Sequence, residues 1–168
     1  ISHYPGQDAE DVTWQDTIIT FPADSGMSPL YLVFAKPMVS PLEVGRAADL
    51  MSRSRKDGLD IDHIPAQKVL EATLLQLDAK MPRQQVLDYL KNAPGIAIPT
   101  HVHQKHSETY GGRSTRAKQA KDVADLRAAV NSNVDAIKSG LLDEGYPEAE
   151  IEAAREQLHQ LNQKQGWY

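Results

Sequence analysis

The sequence predicts an α+β fold, mainly helical, with an N-terminal β-hairpin. Three observations carry that expectation. Two stretches near the N-terminus are rich in β-branched and aromatic residues and are separated by turn-forming residues. Most of the chain beyond residue 40 spaces its apolar residues by three and four, the repeat of a helix with one buried face. Between those helical stretches lie two short β-type segments, "GLDIDHIPAQ" at residues 58–67 and "GIAIP" at residues 95–99.

In chain order, "ISHYPGQDAEDV" is polar with an early Pro-Gly and is expected to be an extended or poorly ordered lead-in. "TWQDTIITF" and "LYLVFA" flank "PADSGMSP" and predict an antiparallel pair with a long loop. "SPLEVGRAADLMSRSRKDG" predicts one helix, with Ser40 as N-cap, Pro41 at the first helical position, Glu43 three residues after the cap and Gly58 at the end. "PAQKVLEATLLQLDA" and "PRQQVLDYLKN" predict two short helices, each opened by a proline. Thr100 is expected to cap a helix beginning "HVHQKH" that Gly111 and Gly112 end. Val123, Leu126, Val130, Val134, Ile137 and Leu141 recur at helical spacing, as do Ile151, Ala154, Leu158 and Leu161, so two amphipathic helices hinged at "DEGYP" are expected to make up the last third.

Composition bounds the function. At 168 residues, with 40% hydrophobic and 24% charged residues, the chain is sized for one ordinary globular domain with a substantial core. It has no run of eighteen apolar residues and no charged-then-apolar leader, so neither a membrane span nor a targeting segment is expected. It begins at Ile1, as a piece of a longer chain would. Cysteine is absent, so disulfides and thiolate metal sites are excluded, and any metal falls to His, Asp, Glu or Asn. A net charge of −5 argues against coating nucleic acid through overall positive charge. The distribution is uneven, however. Lys105, Arg113, Arg116, Lys118 and Lys121 face only Glu108 in residues 105–121, whereas residues 143–156 carry six acids against Arg155.

Two clusters hold metal-capable side chains: Asp60, Asp62 and His63 beside Ile64-Pro65, and His101, His103 and His106 after Ile98-Pro99. On a helix His103 and His106 share a face, which makes them a candidate pair of imidazole ligands. An aspartate from the first cluster would add a hard oxygen, a mixed set that suits Mg²⁺, Mn²⁺, Ni²⁺ or Zn²⁺. His63 titrates near neutrality and is the candidate general base, taking a proton from water while a metal at Asp62 steadies charge on a phosphate oxygen. That division of labour is phosphodiester hydrolysis. Blander readings stand beside it: an Asp-His pair also caps turns, three histidines also begin a solvated helix, and a basic tract also serves as a solvated face.

The segments "DIDHIP" and "NAPGIAIPTHVHQKHSETY" resemble the two strands and metal-bearing helix of the ββα-metal, or His-Me finger, nucleases, which include the HNH endonucleases and phage endonuclease VII. The resemblance implies an embedded ββα-metal core over about residues 59–113. It makes His63 the general base, Asp62 a metal ligand, His103 and His106 further ligands, and Asn92 a residue that holds His63 or approaches the one divalent ion. Lys105, Arg113 and Arg116 would contact the nucleic-acid backbone, Arg113 as the nearest clamp after Gly111-Gly112. Upstream, "ITFPADSGMSPLYLVFAKP" resembles the end of the domain that precedes the cytotoxic domain in S-type pyocins and nuclease colicins. Together these imply a segment at residues 1–38 belonging to that preceding domain, and a cytotoxic nuclease domain at residues 39–168 with C-terminal helices over 117–165.

The expected activity is metal-dependent cleavage of DNA in the cytoplasm of a competing bacterium, by part of a longer secreted toxin whose other domains manage receptor binding and import and whose producer makes an immunity protein. An RNase, a hydrolase of another ester and a noncatalytic binding module are the alternatives. The chain departs from the family pattern in the roughly forty residues between its two clusters, in Asp62 where a second histidine is usual, and in its acidic total.

Overall fold

The computed structural model describes residues 37–55 and 57–168. The expected N-terminal hairpin and lead-in lie outside the described residues. Three strands form an antiparallel sheet in the order β1 (Val44–Arg46), β3 (Pro94–Pro99), β2 (Leu59–His63). The central β3 is buried along its whole length, as its unbroken apolar sequence requires, and its prolines sit at the two ends, where a missing ladder donor costs least. The β2–β3 register sets Asp60 opposite Ile98 and Asp62 opposite Ile96. Cross-strand partners project from one face of a sheet, so both aspartates share the face of Ile96 and Ile98.

The helix expected with Pro41 at its first position begins six residues late, at Ala47. Residues 40–43 form a turn, with Glu43 N–H donating to the Ser40 carbonyl at 3.1 Å and Ser40 N–H donating to Glu43 Oε1 at 3.0 Å. The side-chain reach typical of a capping box is therefore present, but Leu42 takes φ 66° and Val44–Arg46 pairs with β3 as β1. Tertiary pairing overrides the local start signal here. Helix α1 (Ala47–Arg53) follows at once, its buried Arg53 held by Glu43 and Asp49.

Helices α2 (Gln67–Leu77) and α3 (Arg83–Lys91) lie where their periodicity puts them, and they enclose Val69, Leu70, Leu74, Val86, Tyr89 and Leu90 together with Trp167 from the C-terminus. Helix α4 (Thr100–His106) follows β3 directly. Thr100 does not cap it. Pro99 is the N-cap, and the Thr100 hydroxyl lies 2.8 Å from Asp60 Oδ1 instead. The helix also stops at His106, before a separate 3-10 turn at Tyr110–Gly112.

The C-terminal third contains three helices rather than two: α5 (Arg116–Ala124), α6 (Leu126–Asp143) and α7 (Glu148–Gln165). Val123 and Leu126 keep helical spacing across the break, but Asp125 is extended and accepts a bond from Ala128 N–H at 3.0 Å, which starts a new helix. The α6–α7 pair buries Val130, Val134, Ile137, Leu141, Ile151 and Leu158 against Ile64, Ile96, Ile98 and Val102. The opposite face of the sheet packs Ala97 against Leu50 and Val39, beneath Leu59 and Ile61.

Helix α7 also fastens two loops. Fully buried Asn162 donates through Nδ2 to the Leu158 carbonyl at 2.8 Å and to the Ile64 carbonyl at 3.3 Å, and Gln165 donates to the Asn92 carbonyl at 2.9 Å. The Ile64 bond pins the chain one residue past β2. Replacing Asn162 with Ala strips both carbonyls of this donor inside the core and is expected to lower unfolding stability by about 1–3 kcal/mol. Urea denaturation checks this, and an unchanged midpoint would show that the clamp contributes nothing.

Candidate active site

The strand period of two aims Asp60 and Asp62 together at α4, the helix that lies over that face. His103 of α4 meets both. Its Nδ1 lies 2.8 Å from Asp60 Oδ2, and its Nε2 lies 3.6 Å from Asp62 Oδ1. Asp60 is itself oriented by the Thr100 hydroxyl, so a chain of contacts runs Thr100–Asp60–His103–Asp62. A carboxylate at Nδ1 makes that nitrogen the donor and leaves Nε2 to face Asp62. Tyr110 holds the ring from the side, edge-on at 4.9 Å between centroids.

His63 ends β2 just before the cis Ile64–Pro65 bond. Gln67 Nε2, from the first turn of α2, lies 3.1 Å from His63 Nε2. An amide nitrogen only donates, so neutral His63 carries its proton on Nδ1 and its lone pair on Nε2. His63, Asp62, His103 and Gln67 all line one cleft of about 330 Å³, whose far wall is Thr109–Gly112 with Ser114 and Gln119. Gly111 and Gly112 have φ of 59° and 82°, a left-handed backbone that lets this wall turn back over α4.

The two imidazoles are tuned in opposite directions. Burial pushes His63 below its ordinary 6.5; the neighbouring Asp62 raises it less than burial lowers it, and His103 adds to the lowering. Burial also acts to lower His103, but Asp62 and Asp60 outweigh it and carry the ring above 6.5. His103 is thus stabilising as a cation below pH 6.5, and that contribution is lost as pH rises through its elevated value. His63 has the reverse sign: its contribution is complete above pH 6.5 and is lost as pH falls through its depressed value.

Among the described residues no three His, Asp or Glu side chains are arranged as a metal-binding group. Two donors nevertheless fit one. A 3.6 Å gap between Asp62 Oδ1 and His103 Nε2 is too long for a direct hydrogen bond, and it suits two ligands that each lie about 2.1 Å from a common ion. The carboxylate behind His103 is the usual partner of a metal-ligating imidazole. Oxygen from Asp62 with a single nitrogen leaves the other positions to water or phosphate oxygen, as hard divalent cations prefer.

Several expected site residues are not brought to this cleft. His106 points into α6: a Cβ added at Gly140 would lie 2.5 Å from His106 Cδ2, so the ring occupies the notch that Gly140 leaves. Asn92 ends α3, donates its amide to the Asp88 carbonyl at 2.9 Å and is not among the residues that line the cleft. Arg113 donates to the carbonyls of Ser107, at 3.0 Å, and Gln104, closing the C-terminus of α4. Lys118 is held between Glu108 and buried Asp122. His101 pairs with Glu144 on α4's outer side. Lys105 and Arg116 are exposed, outside the residues that line the cleft. Conversely, Asp60, counted from sequence only as a metal-capable member of the first cluster, touches His103, and Gln67, given no role from sequence, touches His63. Asp60 was legible as the same-face neighbour of Asp62, whereas Gln67 reaches His63 only through the turn into α2.

Residues 1–33 match the model of the S-type pyocin family. Over 130 residues, or 76% of its length, the chain is 32% identical to Deoxyribonuclease CdiA of Dickeya dadantii (strain 3937). It spans 4% of that much longer protein. No solved structure matches it.

In metal-free protein, imidazole NMR is expected to show His63 titrating below pH 6.5 and His103 above it. Coincident titrations near 6.5 would mean that neither burial nor the two carboxylates act on these rings.

Proposed function

We propose that the chain is the nuclease end of a bacterial toxin, cleaving phosphodiester bonds in DNA with the help of one divalent ion. The observation that carries this reading is the convergence in one cleft of a neutral imidazole and an Asp–His pair at ligand spacing. Similarity to a deoxyribonuclease over three quarters of the chain supports DNA as the substrate, and the pyocin match at residues 1–33 supports delivery as part of a longer toxin. The same context supports action in the cytoplasm of the recipient cell, import by other parts of the full-length protein, and an immunity protein in the producer.

His63 accepts a proton from water through Nε2, the lone-pair side that the Gln67 contact marks, once that water takes the place of the Gln67 amide on it. The water oxygen bonds to phosphorus as the bond to the leaving sugar oxygen breaks, and that oxygen takes its proton from solvent. Asp62 and His103 would hold the cation, with Asp60 fixing the ring of His103. When bound, the divalent ion supplies positive charge to the phosphate oxygens as negative charge grows on them. Burial of His63 keeps it unprotonated at neutral pH, so the base is ready without prior deprotonation.

Supercoiled plasmid is the direct substrate for a test, offered with Mg²⁺, Mn²⁺, Ni²⁺ or Zn²⁺. Nicking is expected with at least one of these and is expected to stop with EDTA. His63→Ala is expected to lower the rate by about 10²–10⁴, while His106→Ala leaves it within a few-fold. Plasmid left intact under every metal would end the DNase reading, and loss of RNA instead would select the ribonuclease alternative. At saturating metal, where His103 is held deprotonated by the cation, the acid limb of the rate profile is expected below pH 6.5, as His63 gains its proton. A limb centred above 6.5 under that condition would exclude His63 as the base.

A further inference from the structure

We propose that the substrate strand leaves the cleft over the first turn of α2 and runs along the α2–α3 groove, with Lys68 and Lys91 as its phosphate contacts. This rests on the nuclease reading above and deepens it by placing the nucleic acid on a face different from the α4–α5 tract that sequence suggests.

The cleft that holds Asp62, His63 and His103 is lined by one Lys or Arg among the described residues, Lys68. A second groove of about 350 Å³ shares Gln67 and Lys68 with the cleft and continues between α2 and α3 to Lys91. The two hollows therefore adjoin at the turn that carries Gln67, the residue in contact with the candidate base. Along this path Glu71 is paired with Arg83, while Asp88, whose Oδ1 accepts from the neutral Gln84 amide at 3.1 Å, keeps its charge and leaves Lys68 and Lys91 in excess over it. Lys68 and Lys91 are exposed, and neither has a carboxylate within ion-pair distance among the described residues.

That sets them apart from most of the cations deeper in the fold. Arg53, Lys118, Lys138 and Arg155 are each held by two carboxylates. Arg113 is committed to the backbone of α4. An uncompensated ammonium inside a cleft is a point charge that recruits an anion, and a second one along a connected groove fits a polyanion with repeating phosphates rather than a single small ion. In an acidic chain this local excess offers the backbone a track that the total charge conceals.

The test uses the full chain carrying His63→Ala, so that DNA is bound and not cut, and a fluorescein-labelled duplex oligonucleotide in EDTA, followed by anisotropy across a salt series. Adding Lys68→Gln and Lys91→Gln together is expected to weaken binding at least tenfold and to flatten the slope of log affinity against log salt by about 0.9 for each phosphate no longer neutralised. Lys68→Arg with Lys91→Arg is expected to restore both. Lys105→Gln with Arg116→Gln is expected to change affinity less than threefold. Every variant is first checked for native melting. Unchanged affinity and slope in the double glutamine variant, while the unsubstituted chain still nicks plasmid, would overturn the track and leave the nuclease reading standing. A chain that neither nicks plasmid nor binds the duplex would overturn both.

Discussion

The pairing of β2 with the buried β3 is the constraint on which the site depends. A strand shows alternate residues to opposite faces, so one register decides whether Asp60 and Asp62 meet α4 or the far side of the sheet. With Asp62 against Ile96, both carboxylates share a face with Ile96 and Ile98 and stand under His103. A slip by one residue would turn the aspartates toward the packing of Leu50 and Ala97 and leave Ile61 under α4. Burial of β3 on both faces makes that slip costly, since it would put carboxylates into a closed apolar layer.

The helices around the sheet serve the same end. The α6–α7 pair supplies the larger apolar mass, and α7 reaches through Asn162 to the carbonyl just after His63. Rigid support thus meets the strand at the residue where its chemistry begins. The far wall of the cleft is built differently, from a glycine-containing 3-10 turn tied down by Arg113. His103 sits between these two parts, positioned by Asp60 from the sheet and by Tyr110 from the wall. Each contact constrains one direction of the ring, and together they leave Nε2 facing Asp62.

Much of this was legible in sequence because it follows from short-range rules. Strand β2 with its Asp-Asp-His series, the two proline-opened helices, β3 and the helix after it all follow from periodicity and terminal residues. What failed depends on partners distant in sequence. Ser40 and Glu43 carry a helix-start pattern, yet β1 pairs with a strand about fifty residues on. His103 and His106 do lie three apart on one helix, but that helix is wedged between β2 and α6, so the two rings serve different neighbours. Arg113 and Lys118 looked like a basic surface because their acceptors, backbone carbonyls in one case and the carboxylates of half-buried Glu108 and buried Asp122 in the other, have no sequence signature.

In the proposed site one divalent ion would lie between Asp62 and His103, within reach of His63, and paramagnetic broadening by Mn²⁺ reports where it binds. Added in substoichiometric amounts to the wild-type chain, Mn²⁺ should erase the imidazole signals of His63 and His103 first and leave that of His159, bonded to Asn131 and Tyr168 at the C-terminal helices, sharp. Broadening that begins at His101 or His159 and spares His63 would contradict the account.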